Sequence, residues 1–273
     1  GSWMVEKDFG GYLSAGKSSG DALAVDKIWY SFPVGESHTF WIGPKIENYY
    51  MHGTTPSLYK PITKQFTLGG NGAAYGASTN PGIGWAYKFD NGFAISSNAV
   101  SQDGDSANGW GTSESDTSWA TQIGYTKPNY SYSLIFNRKT NGWADSYYTT
   151  PLGKVRPDGG DSDNFGLRGW WRPEESGTTI PSISVGYDYS TVSGQTQDTS
   201  AYFLGLTWQD IFTPDDRIGF AVGQPQTRDD ETTDPLAWEA YYTYQVNDSV
   251  TVTPAVFGAV SYTHLTLPTN REV

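Results

Sequence analysis

Apolar and polar residues alternate with a period of two along most of the chain, the pattern of strands that present two chemically different faces. In Gly82–Phe89 one face carries Ile83, Trp85, Tyr87 and Phe89, and the other Gly82, Gly84, Ala86 and Lys88. Tyr130–Asn137 sets Tyr130, Tyr132, Leu134 and Phe136 against Ser131, Ser133, Ile135 and Asn137. Pro181–Tyr189 sets Ile183, Val185, Tyr187 and Tyr189 against Ser182, Ser184, Gly186 and Asp188. The pattern predicts about twelve strands, near 24–32, 39–46, 82–89, 93–100, 118–126, 130–138, 163–172, 181–190, 199–208, 217–224, 236–245 and 249–257. Most run roughly 8 to 10 residues, the length that crosses a bilayer as a tilted strand.

The connections alternate short and long. Pro33–His38, Asp90–Gly92, Thr126–Asn129, Pro173–Thr179, Gln209–Asp216 and Gln245–Asp248 are short turns. Glu47–Pro81, Ser101–Thr117, Lys139–Ser162, Thr191–Asp198 and Pro225–Asp234 are longer and polar. An up-and-down barrel would gather the short turns at one rim and the long loops at the other, as transmembrane barrels do. The predicted fold class is therefore all-β, an antiparallel up-and-down transmembrane β-barrel, with a complete barrel of roughly 16–18 strands.

Composition sharpens this. Only 37% of the 273 residues are hydrophobic, yet the chain holds 11 Trp, 19 Tyr and 12 Phe. Aliphatic residues normally fill a soluble core, whereas Trp and Tyr favour sites with one apolar and one wet end. Aromatics also bracket the turns: Phe89 and Phe93, Tyr125 and Tyr130, Trp208 and Phe212. Such placement matches interfacial girdles. The alternative is an aromatic-rich soluble β-sheet protein that binds carbohydrate.

The net charge of −12 argues against nucleic acid as a partner, because phosphate contacts require clustered Lys and Arg. No run of 18 apolar residues suits a spanning helix and no signal segment opens the chain, so Gly1–Asp21 is read as an incomplete start of the barrel. Residues 22–258 are read as the barrel. Ser261–Val273 breaks the alternation and is read as a non-native tail.

Catalytic chemistry finds few parts. Cys is absent, and the histidines are His38, His52 and His264. No Ser/His/Asp relay or nucleophile elbow is legible, so no enzyme activity, catalytic residue or cofactor is expected. The carboxylate pairs Glu174/Glu175 and Asp229/Asp230 fall in hydrophilic connections. Asp103, Asp105 and Glu114 approach a Ca²⁺-loop spacing, but Ala107 and Asn108 stand where a ligand and the turn glycine belong, so no metal is expected.

The run Asp26-Lys27-Ile28-Trp29-Tyr30-Ser31-Phe32-Pro33-Val34-Gly35, followed by Ile42-Gly43-Pro44-Lys45, resembles cyanobacterial major outer-membrane porins. These are the iron-uptake porins of the carbohydrate-selective porin family. Leu236–Val246 with Thr251-Val252-Thr253-Pro254 resembles the same family's penultimate hairpin. The resemblance spans roughly residues 20–257. It implies the cell outer membrane, lipid and lipopolysaccharide around the barrel, and a cell-wall partner held only through a domain not seen in this chain. Passive diffusion of ions, inorganic iron or sugars is the implied activity. A homotrimer is a candidate assembly.

In a pore, selectivity follows from diameter and from charged lumen side chains. A Lys or Arg facing lipid at mid-depth costs about 2–4 kcal/mol, so strand parity assigns Lys45, Lys88, Arg168 and Glu239 to the lumen, with Arg138 as a further candidate. The Glu47–Pro81 loop, with Tyr49, Tyr50, Tyr59, Lys60 and Lys64, is expected to fold inward and constrict the channel. An ordinary external loop is the open alternative.

Overall fold

The computed structural model describes residues 25–262 except 71–72, 76–78, 144–148, 151, 154–159, 233 and 249. The predicted start Gly1–Asp21 and residues 263–273 of the predicted tail lie outside the described residues. Thirteen strands are described: β1 Ile28–Val34, β2 His38–Glu47, β3 Thr79–Lys88, β4 Phe93–Ser101, β5 Thr117–Lys127, β6 Tyr130–Thr140 and β7 Ser162–Trp171. Then follow β8 Ser182–Val192, β9 Thr199–Gln209, β10 Arg217–Arg228, β11 Asp234–Asn247, β12 Val250–Val252 and β13 Ala255–Tyr262. Each strand pairs antiparallel with its chain neighbours from β1 through β12, in an all-β up-and-down sheet.

One predicted strand, 249–257, is two. Thr253-Pro254 interrupts it, because proline has no N–H to give the ladder. β12 pairs with the Tyr244–Asn247 end of β11, while β13 pairs with Asp234–Tyr241 and runs on to Tyr262.

The two faces of the sheet are chemically inverted relative to a soluble domain. On β5 and β6 the outward residues include Trp119, Ile123, Tyr132 and Leu134, while Ser118, Gln122, Ser131, Ser133 and Asn137 are buried inside. Exposing large apolar side chains and burying polar ones is costly in water and favourable in a bilayer, where hydrocarbon covers the outer face. Strands of 9 to 12 residues such as β4 through β10, tilted as barrel strands are, rise roughly 25 Å, the height of that apolar band.

Toward the short turns the outer face becomes an aromatic belt. His38 meets Tyr87 at 4.5 Å, Tyr87 meets Phe89 at 4.5 Å, Phe93 meets Tyr125 at 4.7 Å, and Tyr125 meets Tyr132 at 5.5 Å. The hairpin at Asp90-Asn91-Gly92 closes because Gly92 takes φ +103°, a conformation other residues rarely adopt. The Asn91 side chain accepts the Phe93 N–H at 3.1 Å.

The β9–β10 turn is organised round one buried carboxylate. Asp216 accepts the backbone N–H groups of Ile211, Phe212 and Thr213 at 2.8, 3.0 and 3.1 Å, and the Tyr242 hydroxyl at 3.1 Å. Burial raises its pKa, but the backbone and hydroxyl donors outweigh this and hold it below the usual carboxylate value. A depressed carboxylate stabilises the fold fully above its unfolded pKa near 3.8 and loses that contribution as pH falls through the folded value. Asp216→Ala is therefore expected to speed amide exchange at 211–213 by roughly tenfold at neutral pH, with the wild-type and variant rates converging well below pH 3.8.

Candidate functional site

The interior of the sheet is occupied by the described part of the connection between β2 and β3, residues 48–70 and 73–75, with its two 3-10 turns Asn48–Met51 and Lys64–Gly69. Short irregular chain buried away from water must find partners for its N–H and C=O groups. Here inward side chains of the strands supply them. Ser96 on β4 accepts the Gly53 N–H at 3.1 Å, Gln122 on β5 accepts Thr54 at 3.0 Å, and Ser184 on β8 accepts Leu58 at 3.1 Å. Gln226 on β10 accepts Ala73 at 3.2 Å. In the other sense, Asn98 donates to the Asn48 carbonyl at 3.3 Å, Trp170 to Thr55 at 3.1 Å and Asn137 to Ala74 at 3.2 Å. One loop thus touches β4, β5, β6, β7, β8 and β10, which requires the sheet to curve round it.

Two charged residues concentrate these contacts. Glu239 on β11, fully buried, accepts the Tyr59 hydroxyl and the Ile62 N–H on Oε1, both at 2.9 Å. Its Oε2 accepts the Thr63 N–H at 2.8 Å and the Thr63 hydroxyl at 2.6 Å. Burial first, and the Glu239 charge second, raise the Tyr59 phenol above its usual pKa, so Tyr59 remains a donor.

Arg168 on β7 is the second. Its Nε donates to the Leu68 carbonyl at 2.7 Å, and its Nη2 meets the Asp188 carboxylate on β8 at 2.9 Å. Nη1 donates to the Leu167 and Tyr187 carbonyls at 2.8 and 3.2 Å. The guanidinium also lies 4.7 Å from the Tyr75 ring centre. Its side chain and that of Asp188 are each 1% exposed, so water takes no share of these bonds.

Small apolar clusters complete the fit. Tyr59 and Phe66 from the loop pack on Phe203, Ala221, Ala237 and Tyr241 from β9 to β11. Ala74 and Tyr75 pack on Ala120 and Ile135. Room for the loop comes from inward glycines: a Cβ on Gly205 would lie 2.8 Å from the Tyr59 ring, and one on Gly186 would collide with the Gly69 carbonyl.

Of the residues assigned to the lumen from sequence, Arg168 and Glu239 are buried inside, and Lys88 is exposed on the inward parity at the short-turn rim. Lys45 and Arg138 are corrections. A β-bulge between Gly43 and Ile46 reverses the parity of β2, so Lys45 pairs with the outward Ile28 and donates to the Val25 carbonyl at 3.2 Å. Arg138 shares the outward face with Phe136 and is tied to Asp161 and Asp163 at 2.5 and 2.7 Å. Both lie toward the long-loop rim, where an outward cation costs little, about 0–1 kcal/mol. In the loop, Tyr59 is buried, Tyr49 and Lys64 are half-buried, and Tyr50 and Lys60 are exposed.

Asp188 and the neutral polar side chains Ser96, Gln122, Asn137, Ser184 and Gln226 also belong to the site, and parity on their strands was the signal for them. Lys139, buried on the inward side of β6, was read from sequence as the start of a loop. Among the described residues no group of three His, Asp or Glu side chains gathers as a metal site.

Two predictions follow from this packing. Gly186→Ala should displace the loop, costing about 1–3 kcal/mol as overpacking does, and should raise protease cleavage within residues 52–69. The second concerns His52, whose ring nitrogens are buried without hydrogen-bond partners and whose ring meets Tyr75 edge-on at 5.0 Å. Burial first, then the Arg168 cation, push its pKa from 6.5 down to about 3. A released loop takes up a proton near pH 6.5 and the docked loop does not, so docking is fully stabilised above that pH and weakens progressively toward pH 3. Amide exchange of the loop should rise across this window, and His52→Phe should flatten the rise.

No protein-family model matches the chain, and no curated protein matches it. Among solved structures it is similar to an outer-membrane expressed OmpT of Vibrio cholerae, with TM-score 0.58, 14% identity, and 87% of this chain and 71% of that chain covered. It is likewise similar to an in-vitro folded OmpT, an outer membrane protein of Vibrio cholerae in trimer form, with TM-score 0.58, 15% identity, and coverage of 89% and 72%. At such identities the likeness is one of architecture: the chain has the fold of the outer-membrane β-barrels.

Proposed function

We propose that this chain forms a porin-type channel in an outer membrane, passing small hydrophilic solutes down their gradients. The observation that carries the reading is the inverted chemistry of the sheet: apolar and aromatic residues outside, and a polar interior rich in Ser, Asn, Gln and charged groups. An exterior such as Trp119, Leu134, Phe165 and Leu167 suits hydrocarbon. A polar interior gives water and hydrophilic solutes a compatible wall. The inward loop supports the reading further, since it sets the free cross-section and hence the size of solute admitted.

The solutes proposed are ions, inorganic iron and sugars, on the strength of the resemblance of Asp26–Gly35, Ile42–Lys45 and Leu236–Val246 to iron-uptake porins. Lipid and lipopolysaccharide are the proposed surroundings, and a homotrimer the proposed assembly. A non-catalytic role is preferred because the paired carboxylates Glu174/Glu175 and Asp229/Asp230 are solvent-exposed in connections, Glu174 and Glu175 lining an open cleft beside Arg172 and Gln209 where solvated charge is the simpler reading. The soluble carbohydrate-binding alternative is disfavoured by the continuous apolar exterior.

Single-channel recording in planar bilayers tests the proposal: discrete conductance steps are expected, and their absence in folded, heat-modifiable protein would overturn it. Charge variants should separate into two kinds. Lys88→Glu, at an exposed inward rim position, is expected to shift the reversal potential toward cation preference. Arg168→Gln removes one partner of a buried pair, worth about 3–5 kcal/mol, and should alter loop anchoring and thermal stability rather than tune selectivity alone.

A further inference from the structure

A groove of about 640 Å³ opens on the outer face, across β5 to β8. The cross-strand rows Ile123, Leu134, Leu167 and Thr121, Phe136, Phe165 line it. Trp119, its indole N–H held by the Ser97 hydroxyl at 2.7 Å, closes the side nearer the long loops. Toward the short turns, Gly169 shares the outward parity of Leu167 and Trp171 on β7, and its missing side chain leaves a notch between them. Neither backbone nor packing requires this glycine. Its φ is not positive, and a Cβ there would meet only ordinary contacts, Val185 at 3.5 Å and the Ser131 carbonyl at 3.6 Å. The notch joins the groove to the short-turn rim.

The two rims differ in charge. At the long-loop rim the outward Arg138 is already tied to Asp161 and Asp163, one cation between two carboxylates. At the short-turn rim Lys127 ends β5 opposite the outward Tyr130, with its ammonium 5.4 Å from the Tyr125 ring centre and no carboxylate paired with it among the described residues. Arg172, the other cation beside this turn, gives its Nε to the Pro128 carbonyl at 2.7 Å and shares an open cleft with Glu174 and Glu175. An anionic head is therefore repelled at the long-loop rim and drawn to Lys127 at the other. Lys127 stands six positions from Thr121 on β5, about 20 Å along the strand and roughly 15 Å in depth at the tilt of barrel strands. That depth is one leaflet, half of the roughly 30 Å hydrocarbon core.

We propose that this face binds one anionic glycerophospholipid specifically, its phosphate at Lys127 and one acyl chain running through the Gly169 notch into the groove. In hydrocarbon no hydrophobic gain favours a protein wall over another lipid, so selection comes from shape and from the head. The groove and notch supply the shape, and Lys127 supplies the head contact. The site stands on the barrel fold alone and is independent of whether the interior conducts.

The test folds the full chain into phosphatidylcholine vesicles carrying a rising fraction of phosphatidylglycerol brominated near the ends of its acyl chains, and follows tryptophan fluorescence. Bulk lipid quenches the outward tryptophans in proportion to bromine content, whereas a bound chain adds a saturating component from Trp119. That component is expected at about fivefold lower bromolipid fraction than with brominated phosphatidylcholine, the preference one Lys gives an anionic head. Trp119→Phe should remove it. Lys127→Gln should erase the preference between the two heads, and Gly169→Leu should erase saturation with both lipids. Identical curves for the two lipids, or a saturating component unchanged in either variant, would overturn the proposal and leave ordinary surrounding lipid. Trp119 shielded from the bromine of both lipids, in folded and heat-modifiable protein, would overturn it too and give the groove to a second copy of the chain.

Discussion

The structure depends on one requirement: the irregular chain carried into the interior must have its backbone polar groups satisfied where water is excluded. The strands meet this with side chains, since their own N–H and C=O groups are committed to the ladder. Ser96, Gln122 and Ser184 accept, Asn98, Asn137 and Arg168 donate, and Glu239 serves several donors together. The outer face obeys the complementary rule. With the strands from β2 to β11 paired to a neighbour on each side, only apolar and aromatic groups need face hydrocarbon there. Polar inside and apolar outside are therefore two consequences of one accounting of hydrogen bonds.

This explains why charge in the interior does not translate directly into a selectivity filter. Arg168 and Asp188 neutralise one another while fixing Leu68, and Glu239 is saturated by donors from the loop. A buried ion pair contributes little net stability by itself, but removing one member leaves an uncompensated charge. Such residues specify a unique docking arrangement for the loop. Charges free to act on a passing ion are those with solvent access, such as Lys88.

Much of the fold was legible because period-two alternation is a direct imprint of the pleat. Ser131, Ser133, Ile135 and Asn137 face inward as their parity requires, and the strands of the structure begin and end close to the predicted limits. Two things escaped. A bulge is a local count of one residue; its marker, Gly43-Pro44 inside the strand, was overlooked, and it turned Lys45 to the opposite face. Rim positions follow different energetics from mid-depth ones, so the argument that a cation avoids lipid had little force at Arg138. The site was legible only in part: Glu239 and Arg168 were placed inside and the parity of Asp188 on β8 was readable, but their partners Thr63 and Leu68 are brought to them by the path of a loop that carries no periodicity. Gly186 and Gly205 were the overlooked trace of that path, small residues on an inward face with another segment lying over them.

The loop lies between the second and third strands, yet the groups that hold it come from nearly the whole length of the chain. Tyr59 reaches Glu239 across 180 residues, and Trp170 reaches Thr55 across 115. Hairpins such as β5–β6 close over a two-residue turn, and contacts of that kind form early because little chain entropy is lost. The centre of the loop, by contrast, lacks its Glu239 anchor until β11 has joined the sheet. The docking of this early loop is therefore completed late, when the last long-range contacts at Tyr59, Ile62 and Thr63 close on β11.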